Sequence, residues 1–332
     1  MFGKSIDFLS IGDITTDAFI RLKEASVHCV INTQKCQICM SFGDKVPFEY
    51  VKVIKAVGNS ANAAVTASRL GLRTAFMTNI GDDQNGLDCL SELRKQKIDI
   101  GYVKRHSGMP TNYHFVLWYE VDRTILVNHI EYNYRFPRIT SAPSWIYLSS
   151  LAANSYPYHK ELIEYLNNNP KVKLAFQPGT FQMKLGIKQL KEFYNRTEVF
   201  IVNVEEAQKI LNTQSRDIKA LLSEIHAYGP KIILITDGPQ GAYMLDGDHF
   251  YFMPIYPDPK PPIERTGCGD SFASTFISAL YIGKSPLEAL LWAPVNPMSV
   301  IQYIGAQEGL LTLDQIEWWL SRAPDDYKPR EI

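Results

Sequence analysis

The sequence predicts an α/β protein: a doubly wound, mostly parallel sheet flanked by helices, with a small β-sheet lid. Three observations predict it. Short, almost wholly apolar runs such as Ile6 to Ile11 and Ile232 to Thr236 have the character of strands buried on both faces of a parallel sheet. Helical stretches separate these runs, giving a βαβ rhythm. Two segments, 18–57 and 111–131, break that rhythm with short mixed or alternating runs and read as additional β structure.

Taken in order, Ile6 to Ile11 ends in Gly12 and is the first strand. Ser60 to Leu70 is Ala-rich and closed by Gly71, a helix with a glycine stop, and Thr74 to Ile80 is the next strand. Leu87 to Lys97 reads as a helix. Thr111 to Asn128 alternates and is heavily aromatic (Tyr113, Phe115, Trp118, Tyr119), so it predicts strands interrupted by a turn at Glu120 to Arg123. Strands follow at Trp145 to Leu148, Val172 to Phe176, Val199 to Val202 and Ile232 to Thr236, with helices between them. Glu317 to Leu320 closes the last helix, and Pro324 to Ile332 reads as a polar tail. The expected division is a large domain of 1–17, 58–110 and 132–332, and a lid of 18–57 and 111–131.

With 332 residues, 45% of them apolar, the chain can bury a substantial core. Its 34 basic and 35 acidic residues are interspersed, which excludes the electrostatic footprint of a nucleic-acid binder. No run approaches the roughly 18 apolar residues of a membrane span, and an acidic residue precedes any long apolar run at the N-terminus, so a cytoplasmic protein is expected. Five cysteines suit a reducing compartment. Cys29, Cys36 and Cys39, with His28, form a candidate zinc set. Adjacent strand residues such as His28 and Cys29 face opposite ways, so small, half-buried residues in an extended segment are the alternative.

Function concentrates near the C-terminus. Thr266-Gly267-Cys268-Gly269-Asp270-Ser271-Phe272 runs into an apolar-periodic stretch, so a glycine-rich turn delivers one carboxylate to the start of a helix. Glycines permit a tight turn and close backbone approach, while the free amides and dipole of a helix N-terminus attract an anion. An aspartate there can take a proton from a hydroxyl beside a phosphate. The competing reading is an acidic residue at an ordinary helix start.

This turn resembles the glycine-rich signature of the ribokinase-like (PfkB) carbohydrate kinases. A second block resembles the same family: Gly58 to Val65, continuing through Arg69-Leu70-Gly71 to Ile80-Gly81-Asp82-Asp83-Gln84-Asn85-Gly86. Asp17 five residues after Gly12, Asn203 and Glu206, Thr236 with Gly238 and Gly241, and Gly305-Ala306 follow in the family's order. The resemblance implies an ATP-dependent transferase that phosphorylates a primary hydroxyl of a small sugar. Asp270 would be the base, and the amides of Gly267, Cys268 and Gly269 the anion hole. It further implies Asp17, Gly58 and Asn62 as acceptor ligands, Thr236, Gly238, Gly241 and Asn296 around the nucleotide, and Mg2+ organised through water by Asn203 and Glu206. Tyr113 is a further acceptor candidate, able to stack on a base or to pack the lid.

Three positions depart from the pattern. Val57 replaces the first glycine of the usual hinge, leaving Gly58 alone. Glu264 and Arg265 replace the usual Asp and Thr, which puts a monovalent-cation site in question. Ser149-Ser150-Leu151 lacks the acid that ribose-specific relatives carry. The alternatives to a sugar kinase are a nucleoside kinase, a sugar-phosphate kinase using lid cations such as Lys45, Lys52, Lys55, Arg105 and Arg123, or a ligand sensor without catalysis. Exposed lid-strand edges offer a route to a homodimer.

Overall fold

A computed structural model describes residues 5–30, 35–119 and 122–332. Among them, ten strands form the main sheet, in the spatial order Arg330–Glu331, His249–Met253, Ala242–Asp246, Ile232–Thr236, Val199–Asn203, Lys173–Phe176, Trp145–Leu148, Phe8–Ile11, Thr74–Gly81 and Val103–His106. The seven from Ile232–Thr236 onward pair in parallel, and the other three add antiparallel at one edge. Alternate residues of the central strands enter opposite cores. Leu9, Ile11, Ile146, Leu148, Phe200 and Val202 pack under the helices Tyr156–Asn168, Thr180–Arg196, Val204–Leu211 and Ile218–His226. Phe8, Trp145, Tyr147, Val199 and Ile201 pack under Asn59–Arg69 and Cys268–Tyr281 on the other face. Two-sided burial is why these strands read as continuous apolar runs.

A second sheet has the order Phe48–Val57, Thr15–Leu22, Tyr113–Tyr119, Asp122–Leu126. Its two middle strands are parallel and the outer pairs antiparallel. One face carries Phe19, Val116 and Trp118 inward, while the other leaves Val53, Phe115 and Leu126 about half exposed. A hairpin, Ser26–Val30 with Lys35–Cys39, lies apart from both sheets. Thr15 already belongs to the second sheet, so the expected boundary at 17/18 falls inside a strand.

The chain leaves the second sheet for the main domain at Ala56 to Gly58. Val57 remains in the strand, and the left-handed angles fall on Ala56 (φ 58) and Gly58 (φ 111), so an alanine takes part of the turn expected of the glycine alone. Two further readings change. The antiparallel strands Ala242–Asp246 and His249–Met253 were not foreseen. The polar tail is docked: Tyr327 is buried, its hydroxyl donates to the Leu291 carbonyl at 2.7 Å, and Arg330–Glu331 pairs with the main sheet.

Candidate active site

At the helix Cys268–Tyr281 the sequence pattern has a clear physical basis. Gly267 caps it at φ 81, and a Cβ there would lie 2.3 Å from the Ala306 Cβ, so conformation and packing both demand glycine. The amides of the first turn have no partner within the helix, and the residues that carry them line a cavity of about 640 Å³, well within the range of small-molecule sites. Asp270 lines the same cavity. Its Oδ1 accepts from Asn59 Nδ2 at 2.9 Å and Gln177 Nε2 at 3.4 Å, and its Oδ2 accepts from Asn62 Nδ2 at 2.8 Å. Burial raises the Asp270 pKa above the ordinary aspartate range, and the three amides pull it partly back. A carboxylate held this way is fixed in orientation and borders the same cavity as the glycine-rich turn.

A second layer fixes those amides. Gln177 Oε1 accepts from the Tyr147 hydroxyl. Asn62 Oδ1 accepts from Gln307 Nε2 at 3.0 Å, and Gln307 Nε2 also donates to the Ala56 carbonyl at 2.8 Å. Asn62, expected to hold the acceptor, borders the cavity and links Asp270 to Gln307 through the two ends of its side chain. Asn59, Gln177 and Gln307 escaped the sequence reading because single amides far apart in the chain carry no spacing signal.

At the strand Thr15–Leu22, Asp17 and Gly58 both border the cavity as expected, joined by Asp13, His114 and His129. Asp13 Oδ1 accepts from the Tyr134 hydroxyl at 2.7 Å. Burial pushes the Asp13 carboxyl up to about 7, against the hydrogen bonds from Tyr134 and the Ala152 amide. Tyr113 requires correction: its strand presents His114 to the cavity, and by strand alternation the neighbouring Tyr113 and Phe115 turn away, their rings 5.2 Å apart.

Thr236, Asn203 and Glu206 stand together on another wall. Asn203 and Glu206 form a reciprocal helix cap, Oδ1 accepting from the Glu206 amide at 2.8 Å and Glu206 Oε2 from the Asn203 amide at 2.9 Å. Burial raises the Glu206 pKa, and the Asp270 charge adds to it. Gly238 and Gly241 do not border the cavity; they serve the turn after Thr236, where a Cβ at Gly241 would meet the Met253 carbonyl at 2.4 Å. Asn296 is also away from it: fully buried, it donates to Thr275 Oγ1 and accepts from the Leu311 amide, both at 2.8 Å. Its role is to tie two helices and a loop together.

Where a monovalent-cation site was in question, Glu264 is buried and accepts from the Thr266 amide and hydroxyl and from the Gly305 amide. Arg123 Nη1, from the second sheet, lies 3.3 Å from Glu264 Oε1 and supplies the positive charge. Arg265 borders the cavity. The side chains of Cys29 and Cys36 lie outside the described residues. Cys39 is a free thiol, His28 Nε2 lies 3.3 Å from Ser26 Oγ, and among the described residues no cluster of three or more His, Cys, Asp or Glu could hold a metal.

This fold agrees with the comparison to known proteins. The pfkB family of carbohydrate kinases matches residues 27–313, and the chain belongs to that family; it is an ATP-dependent phosphotransferase. It is 23% identical over 253 residues to an uncharacterized sugar kinase of Archaeoglobus fulgidus, covering 73% of this chain and 97% of that one. It is 26% identical over 234 residues to a nucleoside kinase of Methanothermobacter thermautotrophicus, covering 68% and 72%. A putative ribokinase II from E. coli, in complex with ATP and Mg2+, shares the fold with a TM-score of 0.74 at 17% identity, over 96% of this chain and 99% of that one. Among the described residues no helix is long and apolar enough to cross a membrane.

Proposed function

We propose that the chain transfers the γ-phosphoryl group of ATP to a primary hydroxyl of a small sugar. One observation carries this reading: a buried, triply hydrogen-bonded Asp270 shares a cavity with the unpaired amides of Gly267, Cys268 and Gly269. Asp270 takes the proton of the attacking hydroxyl, with Asn59, Asn62 and Gln177 holding its carboxylate in place. The three amides stabilise charge on the migrating group, and most of the acceleration comes from positioning and electrostatics. The nucleotide is placed toward Thr236, which lines the cavity; the E. coli neighbour's complex with ATP supports ATP as the donor.

The donor set suits Mg2+ held through water. Burial raises the Glu206 pKa and the Asp270 charge adds to it, so a bound cation would relieve that repulsion. Asn203 and Glu206 would hold the ion, which when bound neutralises phosphate oxygens.

A nucleoside acceptor is the second reading. The Phe181 ring borders the cavity, and the nucleoside kinase relative supports it. An ADP-release assay with Mg-ATP across free sugars, nucleosides and sugar phosphates tests both. Asp270→Asn is expected to lower kcat by about 10² to 10⁴ while leaving nucleotide binding nearly intact. Near-normal turnover in that variant would remove Asp270 from the mechanism.

A further inference from the structure

Four consecutive residues of one loop bridge the second sheet and the wall of the cavity. The Gly305 amide donates to Glu264 Oε2 at 3.2 Å, and Gly305 lies so close to Ile54 that a Cβ there would collide with it. Ala306 packs against Gly267. Gln307 Nε2 donates to the Ala56 carbonyl and to Asn62 Oδ1, at 2.8 and 3.0 Å, and Glu308 pairs with Lys52 at 2.6 Å. Lys52, Ile54 and Ala56 belong to the strand Phe48–Val57, whereas Gly267 and Asn62 line the cavity. The loop's main chain is itself held, since Arg69 Nη1 donates to the carbonyls of Gln307 and Leu310, both at 2.8 Å.

Hydrogen bonds of fixed direction run through Gln307. A main-chain carbonyl accepts and never donates, so the Gln307 atom facing Ala56 is its nitrogen. The second proton goes to Asn62 Oδ1, which leaves Asn62 Nδ2 for Asp270 Oδ2 at 2.8 Å. Turned the other way, Asn62 would set its oxygen against the Asp270 carboxylate and its NH2 against that of Gln307, so two hydrogen bonds would be lost together. The anchor at Ala56 is a bulge. Between the pairings of Val57 with Thr15 and Ile54 with Asp17, the strand makes three steps against its partner's two, and Ala56 has φ 58. A bulged residue falls outside the ladder pairing, and the Ala56 carbonyl accepts from Gln307 instead.

We infer that Gln307 is a positioning residue for the base: it fixes which end of Asn62 faces Asp270, and it takes that orientation from the Ala56 carbonyl, where the second sheet joins the main domain. Gln307 does not border the cavity, so it acts through Asn62. Displacement of the strand at Ala56 removes the anchor and with it the orientation of Asn62. The competence of Asp270 is thereby tied to the placement of the second sheet.

The inference rests on the reading of Asp270 as the base, and its test separates the two. ADP release with Mg-ATP is measured with the acceptor that ranks first among free sugars, nucleosides and sugar phosphates. Gln307 is only half-buried, so both variants used are expected to fold. Gln307→Met keeps the chain length and removes both donors. Its kcat should fall about 10- to 100-fold, as misplacement of a catalytic group does, with KM for ATP held within about threefold. Gln307→Glu puts an acceptor where the donor stood, so Asn62 turns its NH2 toward residue 307 and its oxygen toward Asp270. An oxygen beside Asp270 favours the protonated carboxyl, and the acidic limb of the pH profile of kcat should move to higher pH. A merely structural role would lower the thermal midpoint but leave kcat per folded molecule and its pH profile as in the wild type, and that result overturns the inference alone. Combination with Asp270→Asn gives a third readout: with the base gone, Gln307→Met should cost less than about twofold more. A further loss of about tenfold in that background means that Gln307 acts elsewhere and also overturns the inference. Near-normal turnover of Asp270→Asn itself, or absence of transfer to every acceptor, overturns the reading of the base, and the inference with it.

Discussion

At the residue scale, two glycines in one turn have separable duties. Gly267 carries a left-handed φ and touches Ala306, so Gly267→Ala is expected to cost about 2–4 kcal/mol from backbone strain and overpacking, read by urea unfolding. Gly269 has no such conflict: a Cβ there would meet only Gln177 Nε2, at 3.8 Å. Gly269→Ala should therefore fold normally yet lose activity by tenfold or more, since the methyl stands at the anion-binding turn beside Asp270. Charge states add a second expectation. The folded Asp13 pKa of about 7 lies above the unfolded value of about 3.9. Its contribution to stability is complete below the unfolded value and is lost as pH rises through 7. Asp13→Asn should consequently gain on the order of 2–4 kcal/mol relative to wild type between pH 5 and pH 8, by denaturant unfolding at both. His129 and His159 work in the opposite direction. Burial pushes both down to about 4, so their neutral forms stabilise the fold above pH 6.5 or so and that contribution is lost on acidification toward 4.

At the scale of elements, the strand Asp122–Leu126 is tied to the segment just before the glycine-rich turn by an ion pair. Arg123 faces a buried Glu264 whose remaining contacts hold Thr266, just before the glycine turn, and Gly305, whose neighbour Ala306 packs against Gly267. Arg123→Met is expected to destabilise by roughly 1–3 kcal/mol, because it strands a buried carboxylate. Adding Glu264→Gln should recover a large part of that loss, and a double-mutant cycle by thermal unfolding measures the coupling. Additive effects would show that the pair is incidental.

At the scale of the whole molecule, the second sheet exposes an apolar row outside the cavity. Val53, Ala18, Phe115 and Leu126 lie opposite one another across its four strands, and the three larger side chains are about half exposed. Exposed apolar side chains on three of the four strands suit a second copy of the chain, which we propose as the occupant. Gel filtration is expected to show a dimer, and Phe115→Glu to convert it to monomer. A wild-type monomer at micromolar concentration ends that proposal.

Much of this was legible in the chain. Runs such as Trp145 to Leu148 and Ile232 to Thr236 announce strands because burial on both faces leaves no room for polar residues. The glycine-rich turn announces a helix start because the left-handed backbone at Gly267 suits few other residues. Other features had no local signature. The tail Arg330–Glu331 joins the sheet through main-chain hydrogen bonds that any residues could make. Tyr113 and His114 were indistinguishable as site candidates until strand register assigned their faces. Asp270 acquires its amides from Asn59, Asn62 and Gln177, at sequence separations of 211, 208 and 93 residues. Local propensity and patterning can specify a strand, a helix start or a tight turn; which distant side chains meet around a carboxylate depends on how those elements pack, and packing is a property of three-dimensional contact rather than of order along the chain.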